Sequence, residues 1–93
     1  MTEISQSDNR WTVVGDVNMD SANSLLEKSK GLDMVENTQV DFAQVNDVDT
    51  AAVSLMLEWH RRAILENKKL AFVNLPAGLT SLTALYGVTD LVS

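Results

Sequence analysis

The segment from Thr50 to about Glu66 most constrains what this chain can fold into. Its apolar residues cover an arc wider than a surface helix usually needs, which indicates a helix buried on most sides. These apolar residues are Ala52, Val53, Leu55, Met56, Leu57, Trp59, Ala63 and Ile64. After a short polar segment, Leu70 to Leu75 form a nearly continuous apolar run, as expected for a buried parallel strand. A buried helix followed by a buried strand predicts an α/β fold.

The rest of the chain extends this pattern, because turn and capping residues separate segments of strand-like or helix-like periodicity. Two N-terminal strands are predicted as a hairpin, and a third strand and two further helices flank the long helix. The predicted elements are strands near 2–7, 11–17 and 38–45, a helix from Asp20 as N-cap to about Lys30, and a helix from Pro76 to Gly87. The order β-β-α-β-α-β-α predicts one domain over residues 1–93, with a mixed, mostly parallel four-stranded sheet packed with helices.

The residue inventory gives no support to catalysis. The 93 residues include no cysteine, which excludes disulfides, thiolate metal sites and a cysteine nucleophile. The single histidine, His60, falls in mid-helix beside Trp59, where a packing role is expected. No nucleophile elbow, phosphate loop or zinc motif is present. We therefore predict a protein that is not an enzyme and needs no cofactor. The alternative is a small-ligand sensor, with a pocket near His60 or the turn from Asp47 to Asp49.

Charge and hydropathy narrow the possible partners. The net charge is −6, and residues 1–60 hold 11 acids against 3 bases, so binding to nucleic acid is not expected. The cluster of Arg61, Arg62, Lys68 and Lys69 is interpreted as cations near a helix C-terminus rather than as a phosphate site. The N-terminus does not resemble a secretory signal, and the longest apolar run is Leu70 to Val73. We predict a cytoplasmic protein whose membrane contact is indirect.

The junction Asp49-Thr50-Ala51-Ala52 is the candidate functional site. A strand ends and the long helix begins here, and either Asp49 or Thr50 is suited to cap that helix. Small side chains leave the backbone accessible, and a hydroxyl here is exposed to a partner or a kinase. A phosphate on it would be tolerated, because helix N-termini attract anions. Asp41, Asp47 and Asp49 are interpreted as turn and capping residues, so no metal site is predicted.

Parallel sheets present their ligand sites at the carboxyl ends of the strands. Segments 16–20, 46–52 and 74–77 are therefore expected to meet at one edge of the sheet. Their short polar and small side chains favour a protein-binding surface over a small-molecule pocket. The predicted partner-binding residues are Asp16, Asn18, Asp49, Thr50, Ala51, Ala52, Val53, Asn74 and Pro76.

Over nearly its whole length the chain resembles the STAS family, which includes anti-sigma factor antagonists. The similar segments are Val14-Gly15-Asp16-Val17, Val40-Asp41-Phe42 with Val45, Val48-Asp49-Thr50-Ala51-Ala52, and Leu70 to Pro76 with Leu82 to Gly87. By this resemblance, Thr50 falls where antagonists carry a phosphorylatable serine or threonine. Ala52 stands where many members have glycine.

The Leu-Pro-x-x-Leu segment formed by Leu75, Pro76 and Leu79 looks most similar to the STAS subunit of the Mla phospholipid-transport ABC complex. This similarity implies docking on a cytoplasmic ABC ATPase, membrane contact through the transporter, and support of phospholipid trafficking. The resemblance leaves open an anti-sigma factor antagonist regulated at Thr50. A weak homodimer through Trp11 or Trp59 is a further expectation.

Overall fold

The fold is described by a computed structural model that covers residues 2–85 and 87. Over these residues the elements follow the predicted order. They are β1 (Glu3–Ser7), β2 (Arg10–Val17), α1 (Ala22–Ser29), β3 (Thr38–Val48), α2 (Thr50–Leu65), β4 (Leu70–Val73) and α3 (Ala77–Leu85).

The four strands form one sheet in the order β1-β2-β3-β4. β1 and β2 are antiparallel, whereas β2 pairs with β3, and β3 with β4, in parallel. The hairpin between β1 and β2 turns at Asp8, which adopts a left-handed conformation with φ of 55°. The predicted mixed, mostly parallel α/β fold is confirmed.

The core lies between the sheet and the helices. Alternate residues of β2, namely Trp11, Val13 and Val17, are fully buried, as the two-residue period of a strand requires. The ring of Trp11 meets that of Trp59 edge to face, with centroids 5.8 Å apart. Both tryptophans are buried, so neither offers a contact surface to a second copy of the chain, and the weak homodimer stays a prediction.

α2 is buried on a narrower arc than its sequence predicts. Met56, Trp59 and Ala63 lie in the core, but Leu57 and Ile64 are 39% and 64% exposed. These two residues are seven positions apart, so they share the helix face that points away from the sheet. α2 contacts α1 and α3 at its sides, which leaves this outer face uncovered.

β4 is shorter than the predicted strand over residues 70–75. It pairs with β3 only from Thr38 to Asp41, and Asn74 ends it in a left-handed conformation with φ of 56°. β3 continues to Val48, where it lies beside Val17 of β2. The carboxyl ends of β2 and β3 therefore meet. The last residue of β4, Val73, instead pairs with Asp41, which lies seven residues before the end of β3 at Val48.

The apolar residues of the last helix are only partly buried. Leu79 is buried, but Leu85 is 76% exposed. Tyr86, which the predicted helix from Pro76 to Gly87 also includes, lies outside the described residues. Within the part of the chain that the structure describes, no helix is both long enough and apolar enough to cross a membrane.

Candidate functional site

Asp49 begins the candidate site by capping α2. Its backbone is extended, with φ of −134° and ψ of −168°, and its Oδ1 accepts a 2.8 Å hydrogen bond from the Ala51 amide. Asp49 is thus the cap, and Thr50 is the first residue of the helix. Thr50 is exposed, and within residues 2–85 and 87 its hydroxyl makes no hydrogen bond. The hydroxyl is therefore available to a partner or to a modifying enzyme.

The same carboxylate joins the ends of two strands. Oδ2 of Asp49 accepts a 3.0 Å hydrogen bond from the amide of Met19, in the loop that follows β2. The amide of Asp49 donates to the carbonyl of Val17 at 3.3 Å. Asp49 thereby fixes the Met19 loop against the start of α2, although Met19 itself is 77% exposed.

Asn18 organises the loop from within. Its Oδ1 accepts hydrogen bonds from the amides of Asp20 and Ser21 at 3.0 and 3.1 Å, and Ser21 Oγ donates to the carbonyl of Asp16 at 2.8 Å. The prediction that Asp20 caps α1 is wrong, because the N-cap position is Ser21. Asn18 instead uses its short amide side chain to bond the backbone two and three residues later.

Asp16 contacts the other side of this junction, where its Oδ1 accepts from the Asp47 amide at 3.3 Å. We call the solvent-facing surface built from these two strand ends the rim surface. It consists of Asp16, Asn18, Met19, Asp47, Asp49, Thr50 and Ala51.

The structure removes two predicted contact residues from this surface. Ala52 and Val53 are only 1% and 5% exposed, because they form the inner side of the first turn of α2. Their side chains belong to the core, so the prediction that they contact a partner is wrong.

Asn74 is also separated from the rim surface. β4 ends beside the first half of β3, and Asn74 Nδ2 donates to Asp41 Oδ1 at 3.0 Å. The expectation that three strand ends meet at one edge is correct only for β2 and β3. Pro76 is half-buried before α3, and α3 returns to the end of β3, since a Cβ at Gly78 would lie 3.6 Å from Val48. Pro76 therefore stays a candidate contact, whereas Asn74 does not.

Asp41 has its own set of partners away from the rim. Burial alone would raise the pKa of this carboxyl, but hydrogen bonds from Asn74, from the Ala43 amide and from Arg10, whose charge also lies beside it, bring the pKa below its ordinary value of 3.8. Arg10 Nη1 lies 2.6 Å from Asp41 Oδ2. Asp41 lies inside β3, so the predicted turn or capping role is wrong for this residue; its carboxylate instead links β3 to Arg10 at the start of β2 and to Asn74 just after β4. Among the described residues no cluster of metal-ligating side chains is found.

A groove between α1 and α2 adjoins the rim surface. It encloses about 260 Å³, and His60 is not among its lining residues. The lining residues are Met19, Ala22, Asn23, Leu26, Ala51, Ser54, Leu55 and Glu58. Sequence reasoning missed this groove, although Ala22 and Leu26 on one helix stripe, with an apolar residue in the preceding loop, were its visible signal.

The rim surface is strongly acidic. Segments 16–20 and 46–53 hold four aspartates and no basic residue. None of the salt bridges formed within residues 2–85 and 87 involves these four carboxylates. Glu58, at the groove, is paired with Arg61 at 3.3 Å. The amides of Ala51 and Ala52 are already bonded to Asp49, so the start of α2 does not offer them to an anion.

Comparison with solved structures supports the fold. The unphosphorylated form of the anti-sigma factor antagonist SpoIIAA is similar with a TM-score of 0.64 at 10% identity, covering 91% of this chain and 83% of that chain. The crystal structure of Mglu is similar with a TM-score of 0.62 at 15% identity, covering 81% of this chain but only 20% of that one. At these identities the likeness concerns the fold alone. No curated protein sequence matches the chain.

The sequence itself matches a family model. The model is described as "Mlab, STAS domain", and the match extends over residues 1–93. This match covers every element that builds the sheet, the rim surface and α2. The chain belongs to the STAS domain family.

Proposed function

We propose that this chain is a non-catalytic accessory subunit that binds the cytoplasmic ATPase of an Mla-type ABC lipid transporter. In that role it supports the phospholipid trafficking that maintains outer-membrane lipid asymmetry. One observation carries the proposal: Thr50 exposes its hydroxyl from a rim surface where the amides of Met19 and Ala51 already donate to the Asp49 carboxylate. The description of the matching family model, "Mlab", favours the Mla pathway over other settings of a STAS domain.

A fixed surface of this kind suits protein binding. Asp49, Asn18 and Ser21 hold the two loops through hydrogen bonds of 2.8–3.1 Å, so little ordering is left for the moment of association. Rigid surfaces bind more tightly at equal contact area, because less conformational entropy is lost. The exposed Met19 gives the same surface an apolar contact.

The proposed location follows from the proposed partner. The chain would lie in the cytoplasm, peripheral to the inner membrane through its complex with the ATPase and permease. STAS domains are generally non-catalytic regulatory or accessory domains, which supports an accessory role.

The decisive experiment is a binding titration with the ATPase of the transporter. We expect Thr50→Arg to weaken the complex at least about tenfold, because a long cation at the centre of a contact must be desolvated. Ala84→Arg is the control, since Ala84 is likewise exposed on a helix and lies in the last turn of α3, eight residues beyond Pro76. Circular dichroism of both variants verifies the fold. Undiminished binding by Thr50→Arg, or no complex with the unsubstituted chain, would exclude this function.

A second function is supported by the same hydroxyl. The similar SpoIIAA is an anti-sigma factor antagonist with an unphosphorylated form. Thr50 is exposed on the corresponding fold, as a kinase substrate must be. In this alternative the chain binds an anti-sigma factor, and a phosphate on Thr50 ends that binding.

Phosphorylation separates the two functions. The chain is incubated with ATP and a cognate anti-sigma factor kinase, and its intact mass is then measured, with Thr50→Val as the control. One phosphate that is lost in the control and that prevents partner binding would favour the antagonist. The accessory-subunit function predicts an unmodified chain that binds the ATPase.

A further inference from the structure

We propose that the groove between α1 and α2 receives an apolar side chain from a basic amphipathic helix of the partner. This inference deepens the proposed function, because it rests on the rim surface being the docking site and states what docks there.

The shape of the groove suits side chains of a protein. Ala22 and Leu26 of α1 face Ala51 and Leu55 of α2, which gives the groove two apolar walls. Its volume of about 260 Å³ is below the range of roughly 300–1,000 Å³ that is usual for small-molecule pockets. A space of this size between two helices takes a few side chains of a third helix, as in ridges-into-grooves packing.

The groove is continuous with the rim surface. Met19 and Ala51 belong to both, and the Met19 amide is bonded to Asp49 Oδ2 at 3.0 Å. The backbone of Met19 is therefore held beside the groove, and its side chain is 77% exposed. Methionine adapts to irregular apolar partners, which makes it common on binding surfaces.

The acidic charge near the groove indicates which class of molecule binds in it. Segments 16–20 and 46–53, which include the groove-lining Met19 and Ala51, hold four aspartates that form no salt bridge among the described residues, and no Lys or Arg lies in either segment. Complementary potential favours a partner that is positive around its apolar anchor. The same aspartates repel anionic lipid headgroups, so an acyl chain of an anionic phospholipid is disfavoured.

The test uses two synthetic helical peptides and the ¹⁵N-labelled chain. Both peptides carry leucines at the same i, i+4 and i+7 positions, and the remaining positions are lysine in one and glutamate in the other. We expect the lysine peptide to shift the amide resonances of Met19, Leu26 and Ser54, and we expect added salt to weaken its binding. The glutamate peptide is expected to shift none of them.

A variant that fills the groove supplies the control. Ser54→Trp places a large ring at a groove-lining position that is exposed, and we expect at least about tenfold weaker binding of the lysine peptide. Ser24→Trp introduces the same ring at an exposed position of α1 outside the groove and is expected to leave binding unchanged.

Several results would overturn the inference. They are equal binding of the two peptides, shifts centred on the exposed Ile64 and Leu65, shifts spread over the whole acidic surface, and groove shifts produced by phosphatidylglycerol vesicles. The peptides do not involve the ATPase, so the two proposals fail separately. If the chain binds the ATPase but not the lysine peptide, the proposed function stands and the proposed role of the groove is wrong.

Discussion

The two ends of α2 carry polar side chains with opposite uses. At the C-terminal end, Arg62 donates hydrogen bonds to the carbonyls of Ser29 and Leu32 at 2.9 and 2.7 Å, and its guanidinium lies 5.6 Å from the Trp11 ring. At the N-terminal end, Thr50 is exposed and bonds to nothing within the described residues. One end uses its polar group to close the core, whereas the other leaves its polar group to solvent.

This difference shows why residue type alone does not identify a functional site. Arg62 belongs to the only basic cluster of the sequence, which makes it look like a surface charge. In the fold it bonds to carbonyls at and just beyond the end of α1, a position where a cation satisfies groups that the helix leaves free. Thr50, an ordinary capping residue by type, is instead free because Asp49 has taken the capping role.

The largest expected effect tests the C-terminal end. Arg62→Ala removes two charge-assisted hydrogen bonds to part-buried carbonyls, so the free energy of unfolding should fall by about 3 kcal/mol. Arg61→Ala is the matched control. Its side chain is exposed and pairs only with Glu58, so a loss below about 0.5 kcal/mol is expected. Urea denaturation measures both. Equal losses would mean that Arg62 does not close the core at the C-terminal end of α2 as described.

A smaller effect is expected at Asp49. Asp49→Ala removes the side-chain cap of α2, which should cost about 1 kcal/mol, and it also frees the Met19 amide. Hydrogen exchange at the Met19 amide should become faster in this variant. Asp47→Ala removes the same charge without removing a side-chain hydrogen bond among the described residues. It should change neither the free energy of unfolding nor the exchange rate of the Met19 amide. Unchanged exchange at Met19 would contradict the proposed fixing of the loop.

An acid titration sharpens the contrast between structural and free carboxylates. The folded-state pKa of Asp41 lies below its ordinary value of 3.8, so this residue stabilises the fold above that value and loses its contribution as pH falls through the folded-state pKa. Asp41→Asn should therefore be less stable than the unsubstituted chain at neutral pH. The difference should stay constant above about pH 5 and shrink as the pH falls through 3.8 and on toward the lower folded-state pKa. Urea denaturation across this range measures it, and a constant difference would contradict the assignment.

Much of the fold follows from the sequence. The alternation of apolar runs with capping residues specified the order of elements, and the bounds of α2 and of the β1–β2 hairpin agree closely with the structure. Local periodicity carries this information because each element buries one side. The Asp20 cap failed, because Asn18 turns the loop by accepting from the amides of Asp20 and Ser21, and the N-cap position falls one residue later, at Ser21.

The site could be predicted only in part. The position of Thr50 follows from the strand-to-helix boundary, which is a local feature. The assignment of Ala52 and Val53 to the surface failed, because a small side chain in the first helical turn suits a close approach to the core as well as an exposed contact. The separation of Asn74 depends on the short pairing of β4 with β3, and the groove depends on how α1 and α2 pack. Both depend on tertiary packing, and the stripe of Ala22 and Leu26 after the apolar Met19 is a local signal for the groove alone.

Hydrogen exchange of the chain with and without the ATPase tests the central claim most directly. If the N-terminal end of α2 is the docking surface, amides of residues 18–23 and 49–55 should become protected in the complex. Those of residues 61–67 should exchange at the same rate in both samples. Protection confined to the end of α2 that carries Arg62, Ile64 and Leu65 would contradict the account.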